Sequence, residues 1–423
     1  MALFPRASQP RPARLDFASA QKKVAALAGS SVVHNAFDWF RSHEREIATF
    51  QLEITSVGAA PFGEERRSRF FADALEYLGY EVERDEVGNV LAFVDPSLKP
   101  EPALAISAHL DTVFPSDTKL DIRREHTRLL GPGISDNGAG LAAIWALAAV
   151  LKDCGLQMQR PVVLIGNVGE EGDGDLRGMR HLFAQEKWRD GISALLVIDG
   201  AGSDSIVAEA LGSRRFEVTV NGPGGHSWSD FGVPNPIVAL SRAIDQITHL
   251  SLPATPKTTI NVGTIAGGTS VNTIPEAASM RVDIRSSERS ELDRLEHELH
   301  NCVRQAVTDS QSPRSIHKQL RFEIKVVGDR PAAELRLEAP ILHAVRAADS
   351  QLGIHSRIHR ASTDANIPLS LGIDALAIGA GGAGGGAHTL HEWFEPLGRD
   401  IGLKRILLAV LVLAGLKENG NQP

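Results

Sequence analysis

Cysteine is nearly absent from this 423-residue chain: there are two, Cys154 and Cys302. Both fall inside amphipathic helical patterns, so a disulfide framework is not expected, a reducing compartment fits, and each reads as a buried structural thiol. Long apolar runs are missing as well. One apolar run, Ile406 to Leu416, stops far short of the roughly 20 residues that a bilayer span requires. There is no excess of positive charge. With 44 Lys and Arg against 52 Asp and Glu, the formal charge is −8. That argues against nucleic acid as the main partner, because binding phosphates needs a basic footprint. Met1 to Arg14 carries three arginines and three prolines but no apolar core of the kind a secretory signal needs. A loose tail and cytoplasmic residence are expected.

What is present divides into two patterns. The chain is longer than the roughly 250–300 residues at which a single core stops growing, so two domains are expected. Apolar residues recur at helical spacing from about Phe37 to Val57 and again over Phe70–Leu78. Val90–Val94 and Ala103–Leu110 then read as strands, followed by a helix over Gly138–Lys152, a strand over Val162–Val168, a helix near Met179–Gln185 and a strand over Ala194–Ile198. Such alternation predicts an α/β sheet with helices on both faces. After Leu211 the pattern changes. Arg215–Val220, Asn261–Ile265 and Ser279–Ile284 alternate as half-exposed strands, among helices over Pro236–Ile247 and Glu288–Val307, the latter with Ser287 as its N-cap. Two strand–helix–strand units ending near Val327 imply a small α+β insert. The first pattern then resumes with a helix over Pro340–Leu352, a strand over Ala375–Ile378 and a closing helix over Leu403–Leu416. The expected division is a flexible tail over 1–30, a main domain over 31–213 and 328–423, and an inserted domain over 214–327.

Chemistry collects where the strands of the main domain end. His109-Leu110-Asp111 closes one of them. In extended chain the two polar side chains share a face, so Asp111 can reach the imidazole and leave its other nitrogen for a metal. Asp136 lies in the turn-rich run Gly131-Pro-Gly-Ile-Ser-Asp-Asn-Gly, where the plain alternative is a helix N-cap. Glu170-Glu171 and Asp199 follow two further strands, and His388 follows the glycine run Gly379–Gly386. Taken singly, each has an ordinary explanation as a cap or a solvated surface group. Taken together, they share the rim beyond the carboxyl ends of the strands, where α/β sheets place their ligands. Adjacent carboxylates repel unless a cation or proton neutralises them, and an imidazole–carboxylate set suits zinc, manganese or cobalt. If Asp136 bridges, His109, Asp136 and Asp199 hold one ion and Asp136, Glu171 and His388 a second, with positions left open for a shared water. His391 is a second candidate for the place of His388.

In this order the residues resemble the co-catalytic zinc peptidase superfamily containing peptidase T, carboxypeptidase G, aminoacylase and succinyl-diaminopimelate desuccinylase, most of all the peptidase T-like aminopeptidases. The resemblance runs from Phe37 onward. It implies a zinc-exopeptidase-like catalytic domain whose central sheet is flanked by helices, an inserted ferredoxin-like lid and dimerisation domain, two divalent ions and a homodimer. It also implies that Glu170 is the general base, that Asp111 orients His109, and that the Asp136–Asn137 peptide is cis. His226, in Gly224-Gly225-His226, would reach the partner subunit's active site as an oxyanion donor, with Asn272 and Arg285 binding substrate. Thr363-Asp364 resembles a pocket-lining segment and adds Asp364 to the substrate contacts, although Ala361-Ser362 stands where the family has glycines. Glu392-Trp393 matches the family's ending. Aspartate at 199 is similar to aminopeptidases and dipeptidases, which implies a free amine on the substrate. The expected activity is hydrolysis of di- or tripeptides from the amino end. An N-acyl amino-acid deacylase or carboxypeptidase is the alternative, and an inactive binding protein on the same fold is the rival from another class. Neither a nucleic acid nor a membrane is an expected partner.

Overall fold

A computed structural model of the chain describes residues 15–98, 102–312 and 319–417. Four helices come first: α1 (Phe17–Ala28), α2 (Ser31–Ser42), α3 (Glu44–Ser56) and α4 (Glu65–Tyr77). Strands β1 (Glu81–Arg84), β2 (Val90–Phe93) and β3 (Ala103–His109) follow. Next come α5 (Gly138–Asp153), β4 (Val162–Asn167), α6 (Arg177–Ala184), β5 (Ile192–Ile198) and β6 (Ser205–Ala210). The insert comprises β7 (Gly212–Asn221), α7 (Pro236–Thr248), β8 (Thr258–Gly267), β9 (Ala277–Ser286), α8 (Arg289–Asp309) and β10 (Arg321–Arg330). The chain then completes the first unit with β11 (Ala333–Glu334), α9 (Pro340–Leu352), β12 (Arg357–Ala361), β13 (Asp374–Ile378) and α10 (Arg399–Ala414).

The large sheet has the order β1-β2-β4-β3-β5-β13-β6-β11, with β12 beside β6. Its centre, β4, β3, β5 and β13, is parallel. These strands are almost wholly buried because helices cover both faces, which is why they read as unbroken apolar runs. Parallel strands end on the same edge, so this arrangement delivers residues distant in sequence to one rim. The insert has its own hydrophobic core, built on Phe216, Val218, Leu240, Ile284, Leu295 and Leu299. Its antiparallel sheet runs β8-β9-β7-β10, and the β-α-β-β-α-β chain order makes it ferredoxin-like. The chain enters through β7 and leaves through β10, and Ser213 pairs with Arg330 in register, so both crossings lie side by side.

Three local expectations need correction. The helix expected from Phe37 to Val57 is two, broken at His43, whose ring stacks on Trp39 at 4.1 Å. Phe40 and Ile47 are both buried and lie seven residues apart, so the helical periodicity continues through a break that it cannot reveal. The tail expected over 1–30 contains α1, because Ala20, Val24 and Ala28 recur every four residues and bury on one face; the helix packs on α9. Asp16 caps it, accepting the Ser19 N–H at 2.7 Å. Residues 1–14 lie outside the described part. The N-cap of α8 is Glu288, not Ser287, and Ser286 Oγ accepts its N–H. Cys302 is buried and Cys154 partly so; both are free thiols. Among the described residues no helix is long and apolar enough to cross a membrane.

Candidate metal centre

The rim is assembled from the ends of the parallel strands. His109 is the last residue of β3, Asp199 directly follows β5, Glu170 and Glu171 lie just beyond β4, and the segment after β13 leads to His388. Asp136 precedes α5. Its neighbour Asn137 takes the N-cap, accepting the Gly140 N–H at 3.0 Å and donating to the Ile198 carbonyl at 2.9 Å. The Asp136 carboxylate is thereby free of capping duty, and the Asp136–Asn137 peptide is cis.

The glycine run makes close approach possible. A Cβ at Gly384 would come 2.6 Å from Ser135 Oγ, and Gly386 has φ +69°, which other residues resist. Ala383–Gly385 pairs with Trp393–Glu395, which pairs with Arg128–Leu130. Glu392 in this segment is fully buried and accepts the N–H groups of Gly133, Ser135 and Asp136 at 2.8, 2.7 and 2.7 Å. It therefore ties the loop carrying His388 to the loop carrying Asp136.

The two oxygens of Asp136 face opposite ways. Oδ1 is 3.0 Å from His109 Nε2, and Oδ2 is 3.2 Å from His388 Nε2. His109 Nε2 is also 3.7 Å from Asp199 Oδ1, and His388 Nε2 is 3.0 Å from Glu171 Oε1. His109, Glu170 and Glu171 also have donor atoms within 4.8 Å of one another, but two sets of that spacing share Asp136: His109–Asp136–Asp199 and Asp136–Glu171–His388. These are the two sets expected from sequence, joined by Asp136; His391 enters neither. Two imidazoles and two carboxylates around a shared carboxylate fit a pair of divalent cations in both donor chemistry and spacing.

The electrostatics carry the same signature. Burial acts to lower the His109 pKa, but the Asp136 and Asp199 carboxylates outweigh it and hold the ring well above its usual value. His388 is pushed up to about 10 by its hydrogen bonds to Asp136 and Glu171. Asp136 titrates well below the usual carboxylate range, its burial outweighed by the two imidazoles. In the absence of a cation, protons on the rings balance the carboxylates. Burial lifts Glu170 well above the usual range against the pull of Arg330, and lifts Glu392 to about 7.

Other expected residues sit differently. Asp111 Oδ1 lies 3.7 Å from His109 Nδ1, beyond hydrogen-bond distance. That ring nitrogen meets the Asp111 backbone carbonyl at 3.0 Å, while the carboxylate oxygens accept the N–H groups of Glu170 and Glu171 at 2.9 and 2.8 Å. Two orphan amides at the start of a tight loop outcompete one imidazole. Asp364 has 0% exposure and bonds Asn167 at 2.7 Å, so it lies beneath the site and cannot touch a substrate there; burial raises it to about 7. His226 and Asn272 are exposed on loops of the insert and do not line the cavity beside the metal set. Arg285 does. That cavity, about 500 Å³, is also lined by Leu211, Ser213, Arg215, Arg330, Ser362 and Thr363. Sequence reasoning missed Arg215 and Arg330, since nothing separates a buried arginine at a domain junction from one in solvent.

Comparisons with known proteins bear on the family and the fold. The model of a family described as peptidase family M20/M25/M40 matches residues 105–416. A probable carboxypeptidase of Aspergillus clavatus is 30% identical over 263 residues, covering 56% of this chain and 57% of that protein's length, little more than half. Among solved structures, aminopeptidase PepT of Bacillus cereus superposes with a TM-score of 0.68 at 18% identity, over 88% of this chain and 99% of the other. A Bacillus subtilis protein described as a dinuclear metal binding peptidase does so with a TM-score of 0.61 at 14% identity, over 88% and 99%. At these identities the likeness to solved structures concerns the fold.

Proposed function

This chain belongs to peptidase family M20/M25/M40, and from that membership we propose that it is a two-metal exopeptidase of di- and tripeptides that holds the substrate's free carboxylate on Arg215 and Arg285. The observation that carries this reading is the Asp136 carboxylate facing two donor sets, 3.0 Å from one imidazole and 3.2 Å from the other, beside a cavity edged with arginine. His109, Asp136 and Asp199 hold one ion and Asp136, Glu171 and His388 the other, zinc before manganese or cobalt. When bound, such a pair supplies Lewis acidity toward the scissile carbonyl and the attacking water.

The protein's own groups do the rest. Glu170, buried and lining the cavity, takes the water's proton on the oxygen that Arg330 does not engage and returns it to the leaving amine. Asp111 fixes the backbone that presents Glu170 and Glu171. Apart from the metal set and Glu170, the charged residues lining the cavity are Arg215, Arg285 and Arg330. Asp283 is shared between Arg215 and Arg285, at 3.4 and 2.7 Å, which leaves a net positive charge suited to a carboxylate. The free amine falls to the metal side, where aspartate at 199 favours aminopeptidase-type cleavage. His226 and Asn272 serve the site of a second copy, in a homodimer built through an inserted domain over 214–327.

A second reading, an N-acyl amino-acid deacylase or carboxypeptidase, is favoured by the same arginines, because it needs only the carboxylate. The test is a panel of dipeptides and tripeptides, free, N-acetylated or C-amidated, on metal-reconstituted protein. Cleavage of free peptides with at least a tenfold loss in kcat/KM on amidation is expected. Turnover of the acetylated set alone would replace the aminopeptidase reading with the second one, and no turnover across the panel would favour a binding protein.

A further inference from the structure

Arg330 is the last residue of β10, where the chain leaves the insert, and its guanidinium is buried against the loop that begins at Glu170. Nη1 donates to Glu170 Oε1 at 2.9 Å and to Ser362 Oγ at 3.1 Å, and Nη2 donates to the Glu170 carbonyl oxygen. One planar fork thus grips both the side chain and the backbone of the same residue, an arrangement that a lysine cannot reproduce. The rest of the loop is held from the same side. Arg215 on β7 donates to the Gly172 carbonyl at 2.6 Å, and Asp175 accepts the Asp329 N–H at 3.2 Å, with Arg180 bonded to both Asp175 and the Asp329 carbonyl. Asp175 and Leu176 have φ of 48° and 60°, so the loop keeps this path only while its contacts hold it.

A buried ion pair adds little to stability by itself, and burying one arginine beside one carboxylate is costly unless the geometry satisfies both. Here the carboxylate is the one that must hold and release a proton in the proposed reaction, and the arginine sits at the junction with the insert. We propose that Arg330 is a positioning residue for Glu170, setting the carboxylate's place from the hinge through which the insert joins the catalytic unit. The proposal rests on the reading of Glu170 as the proton-transfer group. Its consequence is that turnover depends on Arg330 although Arg330 itself moves no proton, whereas metal binding does not depend on it.

The test compares Glu170→Gln, Arg330→Lys, Arg330→Gln and the double variant Glu170→Gln/Arg330→Lys, following kcat, KM, bound metal by elemental analysis and Tm. Arg330→Lys keeps the charge but loses the fork; it is expected to lower kcat five- to thirtyfold, with KM within threefold and metal content unchanged. Arg330→Gln is expected to lower kcat further. If it fails to fold, the lysine variant carries the test. In the double variant, the residual rate should equal that of Glu170→Gln alone, because a residue acting only through Glu170 has nothing left to act on, whereas a general structural defect would multiply the losses. The proposal is overturned if Arg330→Lys leaves kcat within twofold, if KM rises while kcat holds, or if the double variant loses a further fivefold or more. Full turnover by Glu170→Gln would instead remove the reading of Glu170 itself, whatever Arg330 does.

Discussion

The strand-end rim and the loops of the insert both carry residues expected to act on substrate, yet they stand in opposite conditions. On the rim, His109 is 1% exposed, donor atoms approach within 3.0–3.7 Å, and buried residues such as Glu392 and Asp111 hold the loops in place. On the insert, His226 and Asn272 are exposed, and Trp228, Phe231 and Val271 nearby show 87, 90 and 103% exposure. Exposed apolar side chains of this size are the kind of surface that interaction sites use. A parallel sheet gathers its own strand ends, so one chain completes the rim. The insert's loops have no such geometry, and in the proposed homodimer it is a second copy that gives them a site.

The comparison can be broken in steps of decreasing size. Glu170→Gln should lower kcat by about 10²–10⁴-fold with both ions retained, measured by steady-state kinetics beside elemental analysis. Next, His226→Ala should cost about 10²–10³-fold in kcat without changing metal content, as expected for one oxyanion donor. Mixing it with Glu170→Gln sharpens the contrast. If His226 serves the partner subunit, exchange of subunits should restore about a quarter of wild-type activity, since half the dimers are mixed and each has one whole site. No recovery from a demonstrated mixed dimer would place His226 with its own chain's rim.

The rim's ionisation gives the third. With His388 raised to about 10, a cation entering at neutral pH must displace its proton. The raised value means competition that weakens as pH climbs toward 10 and strengthens below. Metal affinity should therefore fall about tenfold per pH unit for each imidazole proton displaced, roughly a hundredfold between pH 8 and 6, and calorimetry in buffers of different ionisation enthalpy should detect the released protons. Smallest is Arg285→Gln, which should raise KM about tenfold for peptides with a free carboxylate and leave amidated peptides unaffected.

Much of the rim was legible because its signal is local. His109, Glu171 and Asp199 stand at or just beyond the ends of apolar strands that the sequence marks, Asp136 follows a turn-rich run that opens a helix, and His388 follows the glycine run. What was not legible depends on contacts between distant segments. Asp364 resembles a pocket residue, but only the position of Asn167 shows that it lies beneath the floor. Asp111 has the right spacing for an imidazole partner and stays 3.7 Å from that ring, and only the path of the Glu170 loop shows that its carboxylate takes two backbone N–H groups instead. Arg330 follows an alternating strand like many surface arginines. The elements followed the same rule: strands with unbroken apolar runs were read within a residue or two, whereas the break at His43 is hidden by periodicity that runs straight through it.

His388 and His109 are the imidazoles of the two donor sets, yet 55% of the His388 side chain is exposed against 1% for His109. The two ions would then differ in lability. Solvent and chelators reach the His388 position directly, while the His109 position lies behind the shared carboxylate. Stopped-flow chelation should release metal in two phases, the faster one governed by the His388 loop. In a metal-poor cell the protein would dwell as a singly loaded form, awaiting its second ion.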